Sequence, residues 1–301
     1  MSLTFRNLSL ELSKRIRSQT INDMVEFCKN EELPLWGQKR PANYIKLSIV
    51  VALYKDAFKI GFDALFDKID RWYPNSKNSF VHNQKVIREF LRRWAETVIK
   101  LGSLDDWKLA RENVEFDKEV NDTLLWIDSV DFGLTGKRHV SRKSREWSYK
   151  INGPGIRFIV ISDAIGLVRK VYGGYSPKTY DGDFLKIVRR SFEKKFENAV
   201  FVGDNHFLWG VKNFKKIKFH CNVKLPANRI SKSTGKGITT LTKKQRAYNA
   251  AIKRTRARVE GVFGQMGKKF EALTKPFGEG EDQLEHLVFI AIGVLNYEQN
   301  L

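Results

Sequence analysis

Cysteine is nearly missing from this chain. Cys28 and Cys221 are its only two, far apart and without Cys-x-x-Cys spacing. A disulfide framework and a zinc site built on cysteine pairs are thereby excluded, and a reduced, intracellular protein is expected. Long apolar runs are lacking too. The longest, Leu287 to Leu295 (LVFIAIGVL), is about half a membrane span and reads as a buried helix. The opening residues, Met1 to Leu10, lack the basic-then-apolar order of a secretory signal. Acidic residues are scarce: 34 Asp and Glu stand against 54 Lys and Arg, a net charge of +20 in 301 residues. That excess is more than solubility requires. It implies a polyanionic partner, nucleic acid first and an anionic membrane surface second.

Acids disappear altogether between Asn205 and Arg258. Fifteen cations lie there: Lys212, Lys215, Lys216, Lys218, Lys224, Arg229, Lys232, Lys236, Lys243, Lys244, Arg246, Lys253, Arg254, Arg256 and Arg258. A basic run is usually a solvated face, but one holding most of the net charge suits contact with a phosphate backbone, salt-dependent and largely blind to sequence. Lys243, Lys244, Arg246, Lys253, Arg254, Arg256 and Arg258 are the expected DNA-contacting set. Two short runs, Lys212 to Lys218 and Lys253 to Arg258, also fit nuclear import signals.

A hydrophobic content of 42% supports a core, and the length suggests two modules. Residues 1–115 read as helical. Apolar residues recur at three-to-four spacing over Leu10 to Phe27 and Tyr44 to Phe58. A short amphipathic segment comes next at Phe62 to Ile69, then a helix capped by Ser79 and running to Leu101. The set fits a helix-turn-helix DNA module or a helical support for the second module, and helix counts alone leave both open. From residue 121 onward the pattern is α/β. Strands are expected at Leu124–Asp128, Ile156–Ser162, Leu167–Gly173, Ala199–Asp204 and Ile217–Leu225, with a helix at Asp183–Phe196. A Gly- and Lys-rich loop, Asn228 to Thr242, leads into a long helix, Lys243 to Thr274. Three strands, helix, strand, strand, long helix is the RNase H order: a mixed sheet flanked by helices.

Two strands end on acids, Asp128 and Asp204, which would lie side by side if those strands are neighbours. A third carboxylate must come from a helix laid across that face, and Glu260 is the candidate. Val259, Phe263, Met266, Phe270 and Leu273 make the buried stripe of that helix. Glu260 is one residue on, about 100° round, beside Lys253, Arg256, Gly264 and Gly267. Three converging carboxylates are what two-metal phosphoryl transfer needs, and oxygen-only ligands suit Mg²⁺. Taken singly, an acid at a strand end is usually a solvated turn residue; joint placement in a matching element order sets these apart. Asp131 should point to the opposite face from Asp128 and ranks as the substitute. Asp163 reads as a hairpin residue, and Asp181 and Asp183 as acids for helix capping and the helix dipole. His206, two residues past Asp204, is a further candidate, although a satisfied loop histidine is the commoner case. His220 needs no metal, and Trp126, Trp147 and Trp209 read as core.

With these blocks in place, residues 121–300 resemble the Harbinger/PIF-type DDE transposases. IDSVDF (Ile127 to Phe132) is similar to that family's first acidic block and VFVGDNHF (Val200 to Phe207) to its second. NAAIKRTRARVEGVFGQMGKKFEAL (Asn249 to Leu273) resembles its third, and GGYSPKTYDGDF (Gly173 to Phe184) its Gly-rich stretch before an Asp and a helix. Ser129-Val130 and Asn205-His206-Phe207 depart from the residues that usually come after the two Asp positions. The resemblance implies an RNase H-like catalytic domain over residues 121–301, with Asp128, Asp204 and Glu260 as catalytic ligands of two Mg²⁺ or Mn²⁺ ions. It implies a transposase or endonuclease acting on double-stranded DNA as a homo-oligomer, in the nucleus of a eukaryote or otherwise the cytoplasm, with a separate Myb-like partner reading sequence. The alternatives are a domesticated, non-catalytic nuclear DNA-binding protein and an RNase H-like nuclease acting on RNA or hybrids.

Overall fold

The structure is a computed structural model and describes residues 4–35, 43–70, 73–74, 76–135, 141–212, 214–224 and 240–301. Arg229, Lys232, Lys236 and Leu225, most of the predicted Asn228–Thr242 loop, and the side chain of Trp209 lie outside the described residues.

The first part of the chain folds into α1 (Phe5–Ser13), α2 (Ser18–Asn30), α3 (Tyr44–Ala57), α4 (Phe62–Ile69), α5 (Lys77–Val98) and α6 (Leu104–Glu112). The stripe expected as one helix from Leu10 to Phe27 is two. Arg17 takes an extended backbone (φ −60°, ψ 142°), so that Leu8 and Leu12 on α1 and Ile21, Val25 and Cys28 on α2 can all face inward. The cap of α5 is Ser76 rather than Ser79, whose N–H donates to the Ser76 hydroxyl at 3.3 Å. Helix α3 is buried along nearly its whole length and sits inside the core.

The predicted C-terminal apolar run forms the inner part of α10 (Glu281–Gln299), which packs along α5. Contact is close enough that a Cβ on Gly293 would meet Ala95 Cβ at 2.6 Å. The helical layer therefore shares one hydrophobic core with Phe158, Val160, Val168 and Val171 of the sheet.

The sheet is built from β1 (Leu125–Gly133), β2 (Trp147–Ser148), β3 (Gly153–Asp163), β4 (Val168–Tyr175), β5 (Val200–Val202) and β6 (Lys218–His220). Strand β1 continues past Asp128 because β3 pairs with its whole length, from Leu125 opposite Asp163 to Gly133 opposite Gly155. Strand β4 lies antiparallel on the far side of β3, while β5 and β6 run parallel to β1 on its other side. The order β4-β3-β1-β5-β6 is the RNase H-like arrangement expected from the sequence, and β2 is a two-residue addition on β3.

Helix α7 (Asp181–Lys195) covers the sheet face formed by Leu125, Ile127, Ile159 and Phe201, using Phe184, Leu185, Phe192 and Phe196. Helix α9 (Lys243–Lys269) covers the other face, where Trp126 and Val202 meet Ala251, Ile252 and Val259. It ends five residues before Thr274 because Phe270 turns extended (φ −124°, ψ 92°), and a 3-10 turn, Glu271–Thr274, comes next. Side chains alternate along a strand. Even-numbered residues early in β1, Asp128 among them, therefore share the α9 face, and Ser129 and Asp131 share the α7 face.

A further helix not foreseen from the sequence, α8 (Asn205–Val211), packs on α7. A Cβ on Gly210 would collide with the Gly182 carbonyl oxygen and come within 2.8 Å of Leu185 Cβ. Gly210→Ala should destabilise the fold by about 1–3 kcal/mol, since backbone cannot yield as a side chain does. A urea unfolding midpoint equal to wild type would contradict this packing.

Candidate active site

Register brings the first two acids together. Strands β1 and β5 run parallel with Trp126 opposite Val202, so Asp128 and Asp204, each two residues further on, emerge at the same level. Gly203 permits the approach: a Cβ there would sit 3.0 Å from Ile127 Cγ2 and 3.3 Å from Phe207. Asp204 caps α8, its Oδ1 accepting the His206 backbone N–H at 3.3 Å. Asp128 is buried, and its Oδ1 accepts the N–H of Ser129 at 2.8 Å.

Glu260 arrives on α9. The lower half of that helix is fastened by Asn249, whose side-chain amide bonds both the N–H and the carbonyl of Val223, at 2.7 and 2.9 Å. Its other anchors are Ile252 and Val259 in the core. Glu260 lies at the open edge of this buried stripe, with its side chain 59% exposed.

Arg256 joins the three acids, a role the sequence did not reveal. Its Nη2 is 2.9 Å from Asp128 Oδ2 and 3.7 Å from Glu260 Oε1, and its Nη1 is 3.4 Å from Asp204 Oδ2. Burial works against the guanidinium charge, but Asp128, then Asp204 and Glu260, outweigh it and raise the Arg256 pKa above the ordinary arginine value. Among the described residues no group of three or more His, Cys, Asp or Glu side chains closes tightly enough to hold a metal ion by itself. The carboxylates gather instead around a shared cation. Three hard, oxygen-only donors with a single positive charge among them are under-compensated by two charges, and such a donor set suits a hard divalent cation.

The remaining candidate cations are distributed along α9. Lys243, Lys244, Arg246 and Lys253 are exposed. Arg254 forms a two-pronged pair with Asp117, at 2.9 and 3.0 Å. Arg258 donates to the Ala164 carbonyl at 3.1 Å and lies 4.8 Å from the centre of the Phe116 ring.

Asp131 occupies the other face, as strand alternation requires. Its carboxylate accepts from Arg157 Nε and Nη2 at 2.7 and 2.9 Å and from the Ser148 hydroxyl at 2.6 Å. Asp181 belongs to the same network and not to the capping role expected of it; Tyr180 is the N-cap of α7. Asp181 lies 3.3 Å from Arg157 Nη1 and accepts from Ser129 Oγ at 3.1 Å. Burial raises its pKa, and Arg157 opposes the rise. Asp183 pairs on the surface with Lys186, and Asp163 accepts the Ile165 and Leu167 N–H groups in its hairpin.

His206 is exposed. His220 is held between Asp122 and Tyr248, at 2.6 and 2.9 Å. Burial and the charge of Asp204 push the Cys221 thiol up to about 12, which keeps it protonated and a poor nucleophile.

An RNase H-like sheet with one acid within β1, a second just past the end of the parallel neighbour β5, and a third on the helix across them defines a nuclease-like class of site. Family comparison gives the same class: residues 127–296 match the DDE superfamily endonuclease family. The match covers more than half of the chain, which belongs to that family. No curated protein and no solved structure gave a match. Among the described residues no helix is long and apolar enough to cross a membrane.

Proposed function

We propose that the chain is a transposase of the Harbinger/PIF kind, cutting and joining double-stranded DNA with Asp128, Asp204 and Glu260 as its catalytic carboxylates. The observation that carries this reading is the gathering of these three acids around Arg256, on a chain with a net charge of +20. The three carboxylates would hold two Mg²⁺ or Mn²⁺ ions, which when bound supply positive charge to the phosphoryl group and make a bound water more acidic. The protein's own residues position and shield. Asn249 and the α9 stripe hold Glu260 over the sheet, and the Asp204 cap fixes that carboxylate at the mouth of α8. The exposed cations Lys243, Lys244, Arg246 and Lys253 run along the same helix and suit the DNA backbone. The reaction is in-line attack on phosphorus: water displaces a 3′-oxygen in strand cutting, and the 3′-hydroxyl so released displaces a 3′-oxygen of the target strand in joining.

The basic segments favour nuclear import in a eukaryotic host, and the reading carries with it a DNA-bound homo-oligomer and a separate Myb-like sequence reader. The test uses purified protein and a labelled duplex with Mg²⁺, Mn²⁺ or chelator. Wild type should cut only with metal, and Asp204→Asn and Glu260→Gln should not. Equal cutting by all three proteins would defeat the catalytic reading. Tight, salt-sensitive binding without cutting on any duplex would favour a domesticated DNA-binding protein. Cutting confined to RNA or hybrids would favour an RNase H-like nuclease.

A further inference from the structure

On the α7 face of the sheet, linked to Asp204 through His206 at the start of α8, lies a second feature that the carboxylate chemistry does not use. A cleft of about 170 Å³ opens between the start of α7, the start of α8 and the loop after β2, with Tyr149, Lys178, Tyr180 and His206 on its rim. Two aromatic rings stand out in water there: Tyr149 is 72% and Tyr180 is 68% exposed. Neither is loose. Lys178 lies 4.7 Å from the centre of the Tyr149 ring and donates to its hydroxyl at 3.3 Å. The Pro177–Tyr180 segment is tied to the sheet by Arg157 Nη1, which donates to the Thr179 carbonyl at 2.9 Å. Lys178 is fixed in turn by its backbone N–H, which donates to Ser176 Oγ at 3.2 Å.

Arg157 and Asp181 line the cleft, and Asp131 pairs with Arg157 in the same buried network. Burying an arginine between two aspartates adds little net stability by itself, because desolvation offsets the attraction. The network does fix the position of an aromatic rim. It also fixes that rim relative to the acids. Ser129, next to Asp128, bonds Asp181, and Lys150 on the cleft wall donates to both oxygens of Ser129 at 2.8 Å. On the opposite wall His206 is two residues from Asp204 and holds it through its backbone N–H.

Resting on the DNA-cutting reading, we propose that this cleft is a nucleobase subsite. It takes one unpaired, unstacked nucleotide of the bound DNA, its base against Tyr149 and Tyr180 and its phosphate in the positive field of Lys150 and Lys178. Base-on-aromatic stacking tolerates any base because each has a flat π-face, so the subsite carries no sequence requirement. Lifting a nucleotide out of the duplex costs least where it is already unpaired, so the occupant is a distorted position and not regular duplex. An exposed ring already held in place, as Tyr149 is by Lys178, loses little rotamer freedom on binding.

The test is binding in chelator, so that it does not depend on cutting. Two fluorescent duplexes of one sequence are compared by anisotropy, one fully paired and one with a single unpaired adenine. The wild-type chain should prefer the bulged duplex by about tenfold, the scale of one stacked base. Tyr149→Ala and Tyr180→Ala should each remove most of that preference while leaving affinity for the paired duplex unchanged. Tyr149→Phe should keep it, since the ring is what stacks. Ile187→Ala, an equally exposed apolar residue on α7 that does not line the cleft, should also keep it. Equal affinity of wild type for both duplexes, or a preference that survives both alanine variants, overturns the proposal. A chain that prefers the bulge and never cuts with metal would sink the catalytic reading alone.

Discussion

Asp128→Asn should slow metal-dependent cutting by about 10²–10³-fold or more, the cost of removing one pre-positioned electrostatic group from a reacting centre. Asparagine keeps the shape and the acceptor for the Ser129 N–H, so the loss is one of charge. The same substitution should leave the urea unfolding midpoint close to wild type. Asp128 has Arg256 at 2.9 Å, but Asp204 and Glu260 share that guanidinium, and removing one of three like charges relieves repulsion as it breaks a pair. Activity and stability should therefore separate. Combining Asp128→Asn with Glu260→Gln should cost little more than either alone, because groups that act as a unit are not additive. A full sum of the two effects would show that the acids work independently and would count against a shared centre.

The largest stability effect is expected far from these acids, at Arg88 on α5. Arg88 and Asp56 are 1% and 2% exposed. Arg88 Nε donates to Asp56 Oδ2 at 2.8 Å and its Nη1 to Glu279 Oε2 at 2.6 Å. Lys55 closes the group by pairing with Glu279 and lying 3.5 Å from Asp56. Arg88→Met should destabilise the fold by about 3–5 kcal/mol, because it strands a buried carboxylate with one distant partner. That is a large share of a typical stability of roughly 5–15 kcal/mol. Adding Asp56→Leu should recover much of the loss, since apolar replacement of a whole buried pair is often neutral. A loss below about 1 kcal/mol for the single variant would place the pair among surface-like bridges.

The pH dependence follows from Asp56. Burial acts to raise its pKa, but Arg88 and Lys55 outweigh burial and hold it below the ordinary carboxylate range. Its contribution to stability is present above the unfolded value near 3.8 and is lost as pH falls through the depressed folded value. Arg88→Met should remove that component of acid unfolding.

Much of the architecture was legible because it rests on local periodicity. Asp128 and Asp204 could be placed side by side since each lies two residues past a paired position, Trp126 opposite Val202, of the parallel neighbours β1 and β5. Glu260 could be placed on the sheet because Val259 and Met266 fix the phase of α9. The same helical angle that put Arg256 near Glu260 could not say what it faces. It reads from the sequence as a DNA contact, and the acids it meets in the fold, Asp128 and Asp204, lie 128 and 52 positions away. Asp181 was hidden for a similar reason: an acid at a helix start suits capping, and only the folded sheet brings Arg157 beneath it. The break at Arg17 was missed because two inward stripes joined by a tight turn look like one.

The seating of α10 on α5 bears on biogenesis. Trp94 and Ala95 are covered by Gly293, a residue that leaves the ribosome long after them. Until it does, the helical layer exposes the strip of α5 that α10 covers. Segments with late-arriving partners of this kind are prone to premature association, and their closure is a slow step set by the long loop between them. A lower growth temperature or a co-expressed chaperone should accordingly raise the soluble yield of this chain, and truncation before Glu281 should abolish it.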